Sequence, residues 1–138
     1  MTAFVDTGVW YAAADRGDRS NARAQQLLAA HGELVTTDHV LVETWRLLAH
    51  RLGRHAAERF WEGLRTGVAE IVPVGPADLE AAWAIGRRYG DQDFSVVDRT
   101  SFAVMLRLGV TTALAFDHDF AVFRWGPGNR RRFDLPDA

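Results

Sequence analysis

Short, dense apolar runs alternate along the chain with longer stretches in which apolar residues recur every three or four positions. "TAFVD", "ELVTT", "VAEIVPV" and "VTTALAF" are the short runs, and each reads as a buried strand. Between them "VWYAAAD", "SNARAQQLLAAHG", "DHVLVETWRLLAHRLG", "RHAAERFWEGLRTG", "PADLEAAWAIGRRYG" and "FSVVDRTSFAVMLRLG" carry helical spacing. Ser20 and Asp38 stand as caps, Gly32 and Gly53 as stops, and Pro76 as a first helical residue. A short helical turn through "DFAVF" and a last strand around "RRFDL" finish the pattern. Strands alternating with helices predict a parallel sheet of about four to five strands, helices on both faces, a three-layer α/β/α domain. With no repeat, linker or low-complexity segment, residues 1–138 read as a single domain with an Arg-rich segment at about 124–133.

In open sheets of this kind, ligands sit beyond the carboxyl ends of the strands. Asp6 and Asp117 each end a predicted strand, which makes them neighbours in a candidate site. Asp98 shares a helical stripe with Phe102 and Met105, so it is an acid on a buried face, where an unpaired carboxylate is prohibitive. Glu43 falls near Val40 and Leu47, at the edge of its own helix's apolar face. Each has a structural alternative: Asp6 as a helix cap, Glu43 or Asp98 as an arginine's partner, Asp117 and Asp119 as a turn and a cap. Gathered into one place, the acids need neutralising, because two like charges about 4 Å apart repel by roughly 4 kcal/mol at an effective dielectric of about 20. Raised pKa values or a divalent cation would do so.

Composition narrows the chemistry. There is no Cys, which excludes disulfides, thiol catalysis and Cys-based zinc sites. All 16 basic residues are Arg, so mechanisms built on a lysine, P-loop nucleotide hydrolysis and Schiff bases among them, are excluded. Oxygen ligands without cysteine or a paired histidine suit Mg²⁺ or Mn²⁺ better than zinc. Such an ion acidifies a bound water and holds a phosphate oxygen, the logic of metal-dependent nucleases. Net charge is −2, 48% of residues are hydrophobic and 11% aromatic, which fits a folded domain. No apolar stretch approaches the roughly 20 residues that span a bilayer, and "MTAFVDTG" has no signal-peptide character, so a cytoplasmic protein with no membrane contact is expected.

The ordered segments "AFVDTGVWYA", "TTDHVLVETWRLL", "DFSVVDRTSFAVMLRLG" and "ALAFDHDFAVF" resemble the PIN-domain family, specifically the VapC-type ribonuclease toxins of toxin–antitoxin pairs. The resemblance runs from residue 3 to about 123 and rests on four acidic motifs in order. It implies a PIN-like fold and RNA cleavage by a water activated on Mg²⁺ or Mn²⁺. It maps the family's acids onto Asp6, Glu43, Asp98 and Asp117, with the metal on Asp6, Asp98 and Asp117. Asp119 is auxiliary, and Thr7 and Ser101 match hydroxyls often found near the acids. A VapB-type antitoxin and a homodimer are the implied partners.

Competing motifs fit less well. "DTG" suggests an aspartic protease, but that chemistry belongs to an all-β fold. A receiver-like domain expects a lysine, and a haloacid-dehalogenase-like phosphatase wants an acid where Gly8 stands. An interaction module binding RNA or metal without turnover remains the non-enzymatic alternative. His118 reads as a turn residue. RNA needs cations, and "RWGPGNRRRF" offers Arg124, Arg130, Arg131 and Arg132, with Trp125 and Phe133 as candidate stacking surfaces. Trp45 and Trp61, on the two central helices, read as core first, with an antitoxin groove or a dimer surface as the alternatives.

Overall fold

The computed structural model describes residues 1–137. Four apolar runs become the strands β1 (Thr2–Val5), β2 (Glu33–Thr37), β3 (Glu70–Val72) and β4 (Thr112–Leu114). They form one parallel sheet in the order β3-β2-β1-β4. The central strand β1 has Ala3, Phe4 and Val5 fully buried, as a strand covered on both faces should be. Helices α1 (Thr7–Ala14) and α2 (Asn21–Ala29) join β1 to β2, and α3 (Asp38–Leu52) and α4 (Arg54–Arg65) join β2 to β3. Helices α5 (Pro76–Arg88) and α6 (Val96–Leu108) carry the chain from β3 across to β4. A short α7 (Asp119–Val122) follows.

This strand order fixes where a site can form. Building runs outward from β1 to β3, then reverses to place β4 on the other side of β1. Right-handed crossovers put α1–α4 on one face and α5–α6 on the other. Helix packing follows, with α1 against α2 and α3, α3 against α4, and α5 against α6, while α3 and α6 meet across the two layers. The crevice of a doubly wound sheet opens where the direction reverses, beyond the carboxyl ends of β1 and β4. Asp6 N donates to Leu114 O at 3.0 Å, which extends the β1–β4 pairing to the residue that begins the crevice.

The far face is an aromatic core. Phe102 stacks on Phe123 with centroids 4.4 Å apart and meets Phe120 edge-on at 4.9 Å. Phe133 packs against Phe102, Phe120 and Phe123 and is 3% exposed, so it is core and leaves no face for a base. The expected last strand around "RRFDL" shrinks to two isolated bridges, Arg131 to Trp125 and Asp134 to Thr112, of which only the second joins the sheet. Asp134 N donates to Thr111 O and its carbonyl accepts from Ala113 N. The next rung would need an amide hydrogen from residue 136, which is Pro136. The sheet therefore stops at four strands.

Three other local expectations shift. Thr37, not Asp38, caps α3, its hydroxyl accepting from Val40 N at 3.1 Å. Asp38 instead accepts from Val74 N at 3.0 Å and ties the chain after β3 to the start of α3. Ser20 sits at the cap of α2 without a side-chain bond. Trp61 is 43% exposed on α4 and is not core, while Trp45 is half-buried against Glu58.

Asp78 anchors α5 to α6. It is buried, accepts from Gly75 N at the helix start, and takes Arg107 Nε and Nη2 at 2.8 and 3.0 Å. The guanidinium holds its carboxyl below the usual carboxylate range. Replacing Asp78 with Ala removes a cap and a bidentate pair, and should cost about 2 kcal/mol in urea unfolding. A loss under about 0.5 kcal/mol would show the pair to be idle.

Candidate active site

Asp6 is the residue between β1 and α1, in extended conformation at the helix cap position. Its side chain makes no capping hydrogen bond, so the cap alternative is not realised. Its carboxylate instead sits in a pocket of about 550 Å³ lined also by Thr7, Glu43, Asp98, Asp117 and Asp119. One carboxylate oxygen from each of Asp6, Asp98 and Asp117 lies within 4.8 Å of the others. Burial pushes Asp6 up to about 8, with Asp98, Asp117 and Glu43 adding to the rise and the Thr7 backbone N–H opposing it.

Asp98 is delivered by the first turn of α6. Ser95 and Asp98 form a reciprocal cap: Asp98 N donates to Ser95 Oγ at 3.1 Å and Ser95 N to Asp98 Oδ2 at 3.2 Å. That bond fixes one carboxylate oxygen on the backbone, and no arginine pairs with Asp98 among the ion pairs of the described residues. Burial, then the Asp117 and Asp119 charges, lift its carboxyl to about 7 against the pull of the Ser95 N–H. The stripe expectation holds for Phe102 and Met105, but Thr100 and Ser101 are buried too, because α6 is covered on almost every side.

Asp117 follows β4 and is exposed. Its Oδ1 accepts from Asp119 N at 2.8 Å, so the turn alternative and the site role coexist in one side chain. Asp119 opens α7 and lines the same pocket, its carboxyl raised by burial and by Asp117. His118 is exposed and is not part of the lining. Glu43 comes from α3, and Thr7 Oγ1 donates to its Oε1 at 2.6 Å. This bond bridges α1 and α3 and gives Thr7 a defined task.

Ser101 does not line the pocket, since its hydroxyl is bound to Val97 O of its own helix at 2.7 Å. Asp93 and Ser95 do line it. Sequence reasoning passed over both, although S-x-x-D before an apolar run is the signature of the cap Ser95 makes. The basic segment lies apart. Arg124 turns its guanidinium onto the carbonyls of Ala121, Val122 and Phe123 at the end of α7. Arg131 lies over the half-buried Trp125 at 5.4 Å, and Arg130 and Arg132 are exposed.

Asp6, Asp98 and Asp117, none of them in an ion pair among the described residues, fit a hard divalent ion. Their donors are all oxygen, and a cation would bring the charge that buried Asp6 and Asp98, both raised, lack. The sequence matches the PIN domain family over residues 3–126. The chain belongs to that family. This PIN domain is 42% identical over 120 residues to the 23S rRNA-specific endonuclease VapC20 of Mycobacterium tuberculosis, covering 86% of this chain and 91% of VapC20. The crystal structure of VapC20, a sarcin–ricin loop cleaving toxin, superposes with a TM-score of 0.82 at 38% identity, covering 87% of this chain and 93% of that one. VapBC2 of Rickettsia felis, crystallised on a fragment of its promoter DNA, shares the fold at a TM-score of 0.67 and 12% identity over 88% of this PIN domain and 92% of that chain.

Proposed function

We propose that this PIN domain is a divalent-metal-dependent endoribonuclease of the VapC type. The observation that carries the reading is the convergence of Asp6, Asp98 and Asp117 at the switch point of the sheet. Likeness to VapC20, an endonuclease by name, supports the reaction class. Mg²⁺ or Mn²⁺ would be held by these three carboxylates, and when bound would supply an acidified water and a Lewis acid for the phosphate. The chain's own residues do the rest. Ser95 N–H and the Asp119 amide orient Asp98 and Asp117, and Thr7 orients Glu43. Glu43 on the pocket wall is placed to accept a hydrogen bond from the attacking water. Asp119 supports the cluster from beside Asp117.

Exposed Arg130, Arg131 and Arg132 add long-range attraction for RNA. A VapB-type antitoxin, a homodimer and a cytoplasmic setting belong to the same reading. Among the described residues no helix is long and apolar enough to cross a membrane.

The test is cleavage of a sarcin–ricin loop oligonucleotide and of unrelated RNA, with 5′ ends mapped and Asp98→Asn as control. A product pattern shared by wild type and control would defeat the assignment. Thr7 gives a finer test: Thr7→Val should lower turnover about tenfold by freeing Glu43, and Thr7→Ser should restore it. Equal rates for Val and Ser would remove Thr7 from the mechanism.

A further inference from the structure

Beside the acids, α3 and α6 enclose a second cleft of about 610 Å³, within the roughly 300–1,000 Å³ common for ligand sites. It shares Glu43 with the acidic pocket, so the two adjoin at that side chain. Val42, Leu47 and Val97 give it apolar walls, and Val42 is 54% exposed. Apart from Glu43, its ionisable lining residues are His39, Arg46 and His50. An acidic pocket repels phosphates, so a strand crossing it needs cations and apolar surface immediately alongside.

His39 is not free to turn. The Thr100 hydroxyl donates to Val96 O and Val97 O at 2.9 and 3.1 Å, which spends its only hydrogen. With the hydroxyl hydrogen turned to those carbonyls, His39 Nδ1, 3.2 Å from the oxygen, is the donor. Nε2 is left as the nitrogen available to the cleft.

We infer that this cleft binds the nucleotide adjoining the scissile phosphate, its base against Val42, Leu47 and Val97, a phosphate on Arg46 and a sugar or base hydrogen on His39 Nε2. The inference rests on the endoribonuclease reading for what is scissile, but its test reads binding alone. The cleft adjoins the acidic pocket at Glu43 and carries exposed Arg46 beside the place where a phosphodiester would lie, which favours RNA over a protein segment.

The probe is a fluorescein-labelled single-stranded RNA, followed by anisotropy on full-length Asp98→Asn protein across a salt titration. Arg46→Ala should weaken binding about tenfold and reduce the salt slope by about 0.7, the value for one phosphate contact on a single strand. His39→Phe should weaken it severalfold, and Thr100→Val, which keeps the helix but frees the imidazole, should fall between parent and His39→Phe. Calorimetric Mn²⁺ titration of the single Arg46→Ala protein should match wild type, showing the acids undisturbed. Unchanged affinity and slope in Arg46→Ala and His39→Phe would overturn the proposal. So would a change of mass by light scattering at unchanged RNA affinity, which would make the cleft a surface between copies. If Asp98→Asn still cleaves RNA while Arg46→Ala loses binding, the ribonuclease assignment fails and the cleft stands.

Discussion

Asp98→Asn should lower RNA cleavage about a thousandfold without unfolding the protein. The carboxylate loses its charge within the trio, and several kcal/mol of transition-state stabilisation would go with the ion it is proposed to help hold; about 4 kcal/mol is a factor of a thousand. The amide oxygen can still accept from Ser95 N, so the first turn of α6 keeps its cap. Asp6→Asn should behave alike, because it too is isosteric and makes no capping bond to lose. Single-turnover cleavage of a ribosomal loop oligonucleotide, beside circular dichroism melts, measures both halves. Activity within tenfold of wild type for either variant would move the metal elsewhere.

The second large effect is on stability in the absence of metal. Asp6 titrates near 8 and Asp98 near 7 in the folded protein, against 3.8 for each when unfolded. Across that window the folded state retains protons that the unfolded state has released. Stability is therefore full below the unfolded value and declines as pH rises towards the folded ones. The two titrations are linked, so the net loss is smaller than two separate groups would give. A loss of about 3 kcal/mol would lower Tm by on the order of 10 °C between about pH 4 and pH 8 in EDTA. Mn²⁺ should raise Tm strongly at the alkaline end and little at the acid end. Asp6→Asn should flatten the decline in EDTA. A Tm that rises with pH through this range would contradict the burial of these acids.

Much of this was legible in the residues themselves. The strands announce themselves because a parallel sheet covered on both faces demands unbroken apolar runs, and β1 and β4 supplied them. Asp6 and Asp117 were found from strand ends, and Asp98 from its place beside Phe102 on a helix. What escaped depends on atoms distant in sequence. Phe133 stands between an arginine run and Asp134, so its charged neighbours hid a core residue that only the Phe102–Phe123 stack explains. Arg124 looked like a free cation, yet the end of α7 leaves carbonyls for it to satisfy. The last strand failed on one proline, and Asp38 lost its cap role to the hydroxyl one residue earlier. The cleft beside Glu43 needs α3 and α6 side by side, which no local spacing reveals.

The reversal of strand order at β1 also has a bearing on biosynthesis. Asp6 leaves the ribosome before Asp117, and they meet only when β4 pairs with β1. A nascent chain that has reached α6 carries Asp6, Glu43 and Asp98 but not the strand that aligns the third member of the trio. The trio is thus completed by a long-range strand pairing and by no local fold, so its geometry is as stable as the β1–β4 contact.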